Sequence, residues 1–134
     1  MWYYIGNLYI GVYTMSGDKN ALAGSAAMLV MALLRESDMY GYQMIEELRR
    51  RSDHTFDLKA GTLYPLLHGL EEKGWITSYQ EGEDTARPRK YYHLTTDGRM
   101  QLEEKQAHWR SYSRAVDKVL EGGFRSCIHK GVGQ

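Results

Sequence analysis

The sequence lacks the features that define several classes of protein. It has a single cysteine, Cys127, so no disulfide can form within the chain and nothing supports an oxidising compartment. Its 17 basic and 17 acidic residues cancel, so the chain as a whole has no attraction for nucleic acid or an anionic membrane. Any electrostatic binding site must therefore come from the local distribution of charge.

Signatures of enzymes and metal sites are also missing. The sequence has no GxxxxGK[ST], HExxH or GxSxG motif, and its one cysteine lies near a histidine only in the pair Cys127 and His129. That pair lies close to the C-terminus, where we expect a flexible tail over residues 123–134 instead of a catalytic or metal site. We predict no enzyme, no metal site and no cofactor.

Residues 1–15, MWYYIGNLYIGVYTM, form an uncharged aromatic run. A membrane-spanning helix needs roughly 20 apolar residues, and this run ends at SGDKN. No lysine or arginine precedes it, as one would in a secretory signal. We interpret residues 1–20 as an N-terminal extension, either dispensable or packed on a partner, and we expect the protein in the cytoplasm without a membrane contact. Met15 is an alternative start.

The remaining residues have the periodicity of one small domain with one core. ALAGSAAMLVMALLRES is apolar on most faces, as in a central helix, and DMYGYQMIEELRRRSD has one apolar stripe. In AGTLYPLLHGLEEKG, four leucines at i, i+3, i+4 and i+7 predict a third helix with one inward face. We expect Gly61 or Thr62 as its N-cap and Pro65 in its first turn.

Two alternating segments and a long helical segment follow. WITSYQ and KYYHLT predict strands joined by the polar loop EGEDTARPR, which makes a β-hairpin with a long tip. A helix is predicted from Thr95 or Thr96 to Gly122–Gly123. Seven-residue spacings on this helix predict a coiled-coil-like seam that meets a second copy of the chain; its residues are Leu102, Trp109, Tyr112, Val116 and Val119.

The order of these elements predicts a mainly α fold with a small β-hairpin. Three helices and a hairpin over residues 21–95 describe a winged helix-turn-helix, and residues 96–122 form the dimerisation helix. The third helix then enters the DNA major groove with Thr62, Tyr64, Pro65 and His68 outward, and the wing brings Arg87, Arg89 and Lys90 to the DNA backbone or minor groove.

Other interpretations stay open at this point. Tyr64 can instead be a half-buried packing residue, and the three wing cations can be ordinary solvated surface. The whole domain can also be a winged helix that contacts only other proteins. The dependence of binding on salt distinguishes that function from DNA binding.

Three segments, MYGYQMIEEL, GTLYPLLHGLEEKGWITSY and RPRKYYHLTTDGR, carry a resemblance to the PadR family of transcriptional regulators. The resemblance covers residues 22–120. The length of the chain and its single C-terminal helix resemble the short branch of the family. It implies a homodimeric repressor that binds a pseudo-palindromic operator in double-stranded DNA, and Tyr42 near the DNA backbone. Lys59, directly before the third helix, completes the predicted DNA-binding set. Gly69 and Ala86 depart from the family pattern, which commonly has a basic residue and a glycine there.

The resemblance also implies ligand sensing, since some members release DNA when a phenolic acid or a planar hydrophobic drug binds. Trp109 and Tyr112, with Trp75 and Met28 or Met31 as neighbours, are candidates for an aromatic effector chamber at the dimer interface. Equally, Trp109 and Tyr112 can serve only as anchors of the dimer core.

Overall fold

The computed structural model describes residues 19–82 and 84–132, with side chains described for residues 25–82 and 84–122. The predicted N-terminal extension therefore lies almost entirely outside the described residues. The elements are, in chain order, α1 (Lys19–Glu36), β1 (Met39–Tyr40), α2 (Gly41–Arg51), α3 (Ala60–Glu72), β2 (Ile76–Glu81), β3 (Arg89–Leu94) and α4 (Thr96–Val132). This order confirms the predicted winged helix-turn-helix.

The core lies between the first three helices and the inner face of the sheet. In α3, Leu63, Leu67 and Leu70 are buried and Leu66 is partly buried, so the predicted inward face is confirmed. α1 is apolar on most faces because it contributes the largest share of the core. The buried apolar residues are Ala26, Val30, Met31, Leu33, Leu34, Met39, Met44, Leu48, Leu58, Leu63, Leu67, Leu70, Ile76, Tyr92, Leu94 and Leu102.

The hairpin belongs to a three-stranded antiparallel sheet in the order β1-β3-β2. β2 and β3 pair from Ile76 opposite Leu94 to Glu81 opposite Arg89, which confirms the predicted hairpin. On β3, Tyr92 and Leu94 are buried, while Tyr91 and His93 lie on the outer face, as the alternation predicts. The sequence did not predict β1, because a two-residue strand has too little periodicity to be recognised.

The N-terminus of α3 differs from the prediction. The helix begins at Ala60, and the carbonyl of Lys59 accepts hydrogen bonds from the backbone N–H groups of Thr62 and Leu63 at 2.9 and 2.8 Å. Gly61 and Thr62 are therefore not the N-cap, and Pro65 lies in the second turn and not in the first. Because proline has no N–H, the helix forgoes one backbone hydrogen bond there.

Helix α4 starts as predicted but ends later. The Thr95 hydroxyl accepts a hydrogen bond from the Gly98 N–H at 3.0 Å, which makes Thr95 the cap. The helix continues to Val132, so the predicted end at Gly122–Gly123 is wrong. Glycine weakens a helix without breaking it, and no proline follows. The chain divides into two units between Leu102 and Glu103.

Candidate nucleic-acid interface

The side of α3 away from its buried leucines carries the four residues predicted to face outward on the reading helix. Thr62, Tyr64, Pro65 and His68 are all exposed, and 47% of the Tyr64 surface is accessible. His68 Nε2 lies 3.3 Å from Glu72 Oε2 one turn later in the helix. The face therefore offers hydroxyl, phenol and imidazole groups to a ligand, with one carboxylate beside the imidazole.

Tyr64 is seated on the first residue of α2. A β-carbon built on Gly41 would overlap the Tyr64 hydroxyl and its ring carbons, so the ring occupies the space that a side chain would need. Gly41 is buried, whereas the Tyr64 side chain is nearly half exposed. Tyr64 thus both packs on α2 and remains accessible, which combines the two interpretations that the sequence left open.

Tyr42 lies in the first turn of α2 and is exposed, as expected of a residue near a DNA backbone. Its hydroxyl hydrogen-bonds the Glu46 carboxylate, and this bond is the main reason why the pKa of Tyr42 is raised. Like any tyrosine hydroxyl at neutral pH, it is protonated, and its oxygen retains a lone pair that can accept a further hydrogen bond.

Lys59 is already paired within the chain. Its Nζ lies 3.0 Å from Asp57 Oδ2, and the Arg49 guanidinium lies 2.9 Å from Asp57 Oδ1. The Lys59 hydrogen bond is the largest of the effects that lower the pKa of Asp57. Lys59 is exposed and can exchange this partner for a phosphate, but only at the expense of the bond to Asp57.

The arginine run at the end of α2 is likewise neutralised by carboxylates of the same chain. Arg49 also contacts Glu46, and Arg50 lies 2.8 Å from Glu47. Arg51 contacts both Glu36 and Glu47. Two arginine hydrogen bonds lower the pKa of Glu47 to about 2. The longest basic run in the sequence therefore contributes little net positive charge to the surface.

The wing cations differ from those of α2. Arg87, Arg89 and Lys90 are exposed, and among the described residues no carboxylate oxygen lies within 4.0 Å of their charged nitrogens. Arg89 lies over the Tyr40 ring with 4.4 Å between the guanidinium carbon and the ring centroid, and Lys90 lies 5.6 Å from the Tyr92 centroid. The wing therefore presents three exposed cations, in contrast to the paired cations of α2.

A cluster on the outer face of the sheet was missed at the sequence level. Tyr79 donates a hydrogen bond to Asp38 Oδ2 at 2.7 Å, and His93 Nδ1 lies 2.9 Å from Asp38 Oδ1. Tyr91 stacks on Tyr79 and meets Tyr40 edge to face. The alternation of β3 placed Tyr91 and His93 on one face, but no local pattern could bring in Asp38, which precedes β1.

The predicted seam on α4 is only partly accessible. Leu102 is wrong as a seam residue, because its side chain is 0% exposed in the core of the winged-helix unit. The other four residues, here called the α4 stripe, are exposed or half-buried; they are Trp109, Tyr112, Val116 and Val119. Trp109 and Tyr112 contact each other with ring centroids 6.1 Å apart.

Two of the residues predicted as neighbours of the effector chamber belong to the domain core or pack against it. Met31 is fully buried, and Met28 is partly buried against the core cluster. Trp75 also packs against the core cluster, and Lys73 lies 4.7 Å from its ring centroid.

The part of the chain that the structure describes has neither a metal-binding cluster nor a membrane-spanning helix. No group of three or more His, Cys, Asp or Glu side chains is arranged there to hold a metal ion. None of its helices has the length and apolar character required to cross a membrane. Cys127 and His129 lie in the stretch of α4 for which only the backbone is described.

Comparison with known proteins identifies the family. The Transcriptional regulator PadR-like family matches residues 30–104, more than half of the chain. The chain belongs to this family. The match begins within α1 and ends in the first turns of α4, so it contains α3, the wing and the outer sheet face.

Solved structures and curated relatives agree with this assignment. A PadR family transcriptional regulator from Eggerthella lenta is 39% identical, with a TM-score of 0.62, over 73% of this chain and 83% of the other. One from Clostridium difficile is 35% identical, with a TM-score of 0.65, over 72% and 98%. The negative transcriptional regulator PadR of Bacillus subtilis is 24% identical over 75% of this chain and 57% of its own length. This PadR-like protein is a transcriptional regulator and not an enzyme.

Proposed function

We propose that this regulator binds double-stranded DNA in a sequence-specific manner and represses transcription as a homodimer. The observation that carries the proposal is the contrast between the wing and the rest of the domain. The wing cations Arg87, Arg89 and Lys90 are exposed and have no carboxylate partner among the residues that the structure describes, whereas Lys59 and the arginines of α2 are neutralised within the chain. Unpaired cations beside an exposed helix are the arrangement that phosphate binding requires.

In this proposal α3 lies in the major groove. Thr62 and His68 donate or accept hydrogen bonds at base edges, and Tyr64 contacts a phosphate or a thymine methyl group. The N-terminus of α3 and the exposed Tyr42 contact the DNA backbone. The wing follows the backbone or enters the minor groove, where its cations release counterions and make binding dependent on salt.

A second copy of the chain is the partner that fits the α4 stripe. Trp109, Tyr112, Val116 and Val119 follow the spacing of a heptad seam, and Val119 is 80% exposed in the single chain. A symmetric dimer places its two reading helices about 34 Å apart, one turn of DNA, and therefore binds a pseudo-palindromic operator with half-sites about 10 bp apart. We assign repression because the Bacillus subtilis relative is named a negative regulator.

The experiment is a fluorescence anisotropy titration at two salt concentrations. Its probes are a duplex from the DNA just upstream of the protein's own coding sequence and a scrambled duplex of the same length. Arg87→Ala and Lys90→Ala are each expected to weaken binding to both duplexes and to reduce the salt slope by about one unit. His68→Ala is expected to change the preference between sequences.

Arg50→Ala is the matched control, since it removes the same charge from a guanidinium that Glu47 already neutralises. We expect it to leave affinity and salt slope nearly unchanged. Equal losses from Arg50→Ala and Arg87→Ala would show only a general charge effect and contradict the proposed role of the wing. An absence of DNA binding at both salt concentrations would favour the alternative function, a winged helix that contacts only proteins.

Regulation by a small aromatic effector is a further part of the proposal. Its support is limited to Trp109 and Tyr112, two adjacent aromatic side chains on the α4 stripe. Binding of a planar aromatic compound or phenolic acid should change Trp109 fluorescence in the wild type and not in Trp109→Phe. An unchanged spectrum across such a panel would leave the two rings as dimer anchors only.

A further inference from the structure

Among the described residues, Arg89 contacts an aromatic ring and forms no salt bridge with a carboxylate. Its guanidinium carbon lies 4.4 Å from the centroid of the Tyr40 ring, and the side chain is exposed. Arginine characteristically stacks the flat face of its guanidinium on an aromatic ring, which leaves the N–H donors in the guanidinium plane and pointing outward. The contact therefore orients the cation and leaves its hydrogen-bonding edges free for an oxyanion.

The Tyr40 ring is itself fixed by a row of tyrosines across the sheet. Tyr40 is the register partner of Tyr91, and Tyr91 is the register partner of Tyr79, so one residue from each strand forms the row. Centroid separations are 5.4 Å between Tyr40 and Tyr91 and 5.8 Å between Tyr91 and Tyr79. Asp38 fixes the far end through its hydrogen bond from Tyr79. This tyrosine row leaves the Tyr40 ring little freedom to turn away.

The other wing cations have no equivalent support. Lys90 lies 5.6 Å from the Tyr92 centroid, and a lysine ammonium has no planar edge to orient. The side chain of Arg87 lies over no aromatic ring among the described residues. Of the three cations, Arg89 is thus the one whose direction is set by its neighbours before any ligand arrives.

We propose that Tyr40 is a positioning residue for DNA binding, whose ring holds the Arg89 guanidinium with its N–H edge toward a DNA phosphate. The inference rests on the proposed function, since it requires that the wing contacts DNA. It adds a residue outside the reading helix and the wing loop, on the two-residue strand β1. Preorganising a long side chain lowers the entropy lost when it binds. Because the proposed role of Tyr40 is to orient Arg89, its effect on DNA affinity should require the Arg89 side chain.

The test is a double-mutant cycle on DNA affinity, measured by anisotropy with a random-sequence duplex at low salt. Tyr40→Leu is expected to weaken binding about threefold to fivefold when Arg89 is present. In the Arg89→Ala background the same change should have almost no effect, and the salt slope should fall no further than in Arg89→Ala alone. Tyr40→Phe retains the ring and should bind like the wild type.

Arg87 provides the matched control cycle. Tyr40→Leu and Arg87→Ala should weaken binding additively, because the Arg87 side chain has no contact with the ring. Equal effects of Tyr40→Leu with and without Arg89 would overturn the inference while leaving DNA binding by the wing intact. A wild-type protein that binds no DNA would overturn the proposed function, and the inference would fail with it.

A second variant covers the case in which Tyr40→Leu does not fold. Arg89→Lys keeps the charge on an exposed side chain and removes the planar guanidinium. It is expected to weaken binding about threefold to fivefold while retaining the wild-type salt slope. Wild-type affinity in Arg89→Lys would show that orientation by the ring is not used.

Discussion

At the residue scale, Gly41 determines where Tyr64 lies. The backbone of Gly41 is not in the left-handed region, so its importance lies in the missing side chain. We predict that Gly41→Ala displaces the Tyr64 ring from the start of α2, because only the end of a flexible side chain has to move. The free energy of unfolding should fall by no more than about 1 kcal/mol, whereas DNA affinity should fall more clearly. Chemical denaturation and anisotropy measure the two effects.

Tyr64→Ala supplies the control for this substitution. If Gly41→Ala acts through the tyrosine, it should have no further effect on DNA affinity once that ring has been removed. Additive losses in the double variant would mean that residue 41 affects binding by another route, such as the start of α2.

Asp38 provides a pH prediction at the same scale. The hydrogen bond to Asp38 raises the pKa of Tyr79 to about 12. Partial burial acts to raise the pKa of Asp38, but hydrogen bonds from Tyr79 and His93 lower it on balance. The raised pKa of Tyr79 and the lowered pKa of Asp38 both stabilise the folded state at pH values between the ordinary pKa of a carboxyl group and that of a tyrosine. The contribution should vanish as pH rises from about 10 through 12, and as pH falls from about 4 through the folded-state pKa of Asp38.

Asp38→Asn tests this assignment. Tyr79 should then ionise nearer to its ordinary pKa of about 10, which tyrosine carbon resonances can follow against a Tyr79→Phe reference. An unchanged Tyr79 titration in Asp38→Asn would contradict the assigned cause.

At the element scale, the junction between the sheet and α4 depends on Gly98. A β-carbon at Gly98 would collide with the carbonyl oxygen of Trp75 and with the Leu94 side chain. The Thr95 hydroxyl hydrogen-bonds the carbonyl oxygens of Gly74 and Trp75 in the same turn. Since one obstacle is backbone, we predict that Gly98→Ala lowers the free energy of unfolding by about 2–3 kcal/mol. Urea denaturation measures this change.

Gly122→Ala is the control on the same helix. A β-carbon at Gly122 meets nothing within 4 Å, so alanine should stabilise the helix or leave it unchanged. A loss of stability from Gly122→Ala similar to that from Gly98→Ala would indicate a general intolerance of alanine in α4 and not a collision at Trp75.

The elements differ in how far the sequence predicted them. The leucines of α3 and the alternation of β2 and β3 are dense local signals, because burial of one face imposes them residue by residue. β1 exists through its pairing with β3, about fifty residues later, and two residues carry no period. Leu102 fits the heptad spacing equally well whether it faces a second chain or its own core, so spacing alone could not exclude it from the seam.

The same limit applies to the site. Exposed positions on α3 followed from the positions of its leucines, and the wing cations from their hairpin context. The sequence could not predict which cations form salt bridges. Lys59 and Arg87 are similar cations in the sequence, yet of these two only Lys59 has a carboxylate partner among the described residues. The contact of Arg89 with Tyr40 joins residues on two strands and needed the register of the sheet.

At the scale of the whole molecule, a neutral chain can bind a polyanion because its charges are unevenly distributed. The cations of α2 are paired within the domain, whereas those of the wing have no carboxylate partner in the described part of the chain. The proposed dimer carries two wings and can make twice as many wing contacts with one duplex. We therefore expect affinity for DNA to depend on dimerisation.

Val119→Glu tests the dimer. A carboxylate in the α4 stripe should shift the proposed dimer toward monomer at micromolar concentration, because a charge at an apolar interface is costly to bury. Sedimentation or light scattering gives the mass, and DNA affinity should fall in parallel. Met100→Glu is the control, since it adds the same charge at an apolar side chain that is 62% exposed outside the stripe. A wild-type monomer with undiminished operator binding would contradict the dimer.

Sequence-specific binding by α3 in a symmetric dimer is tested most directly by selecting binding sites from a library of random DNA duplexes. We expect enrichment of one motif with dyad symmetry and half-sites about 10 bp apart, with weaker enrichment for His68→Ala. Recovery of unselected sequences by the folded wild-type protein would contradict sequence-specific binding by α3. Enrichment of a single half-site without symmetry would contradict the dimer while leaving α3 as the reading helix.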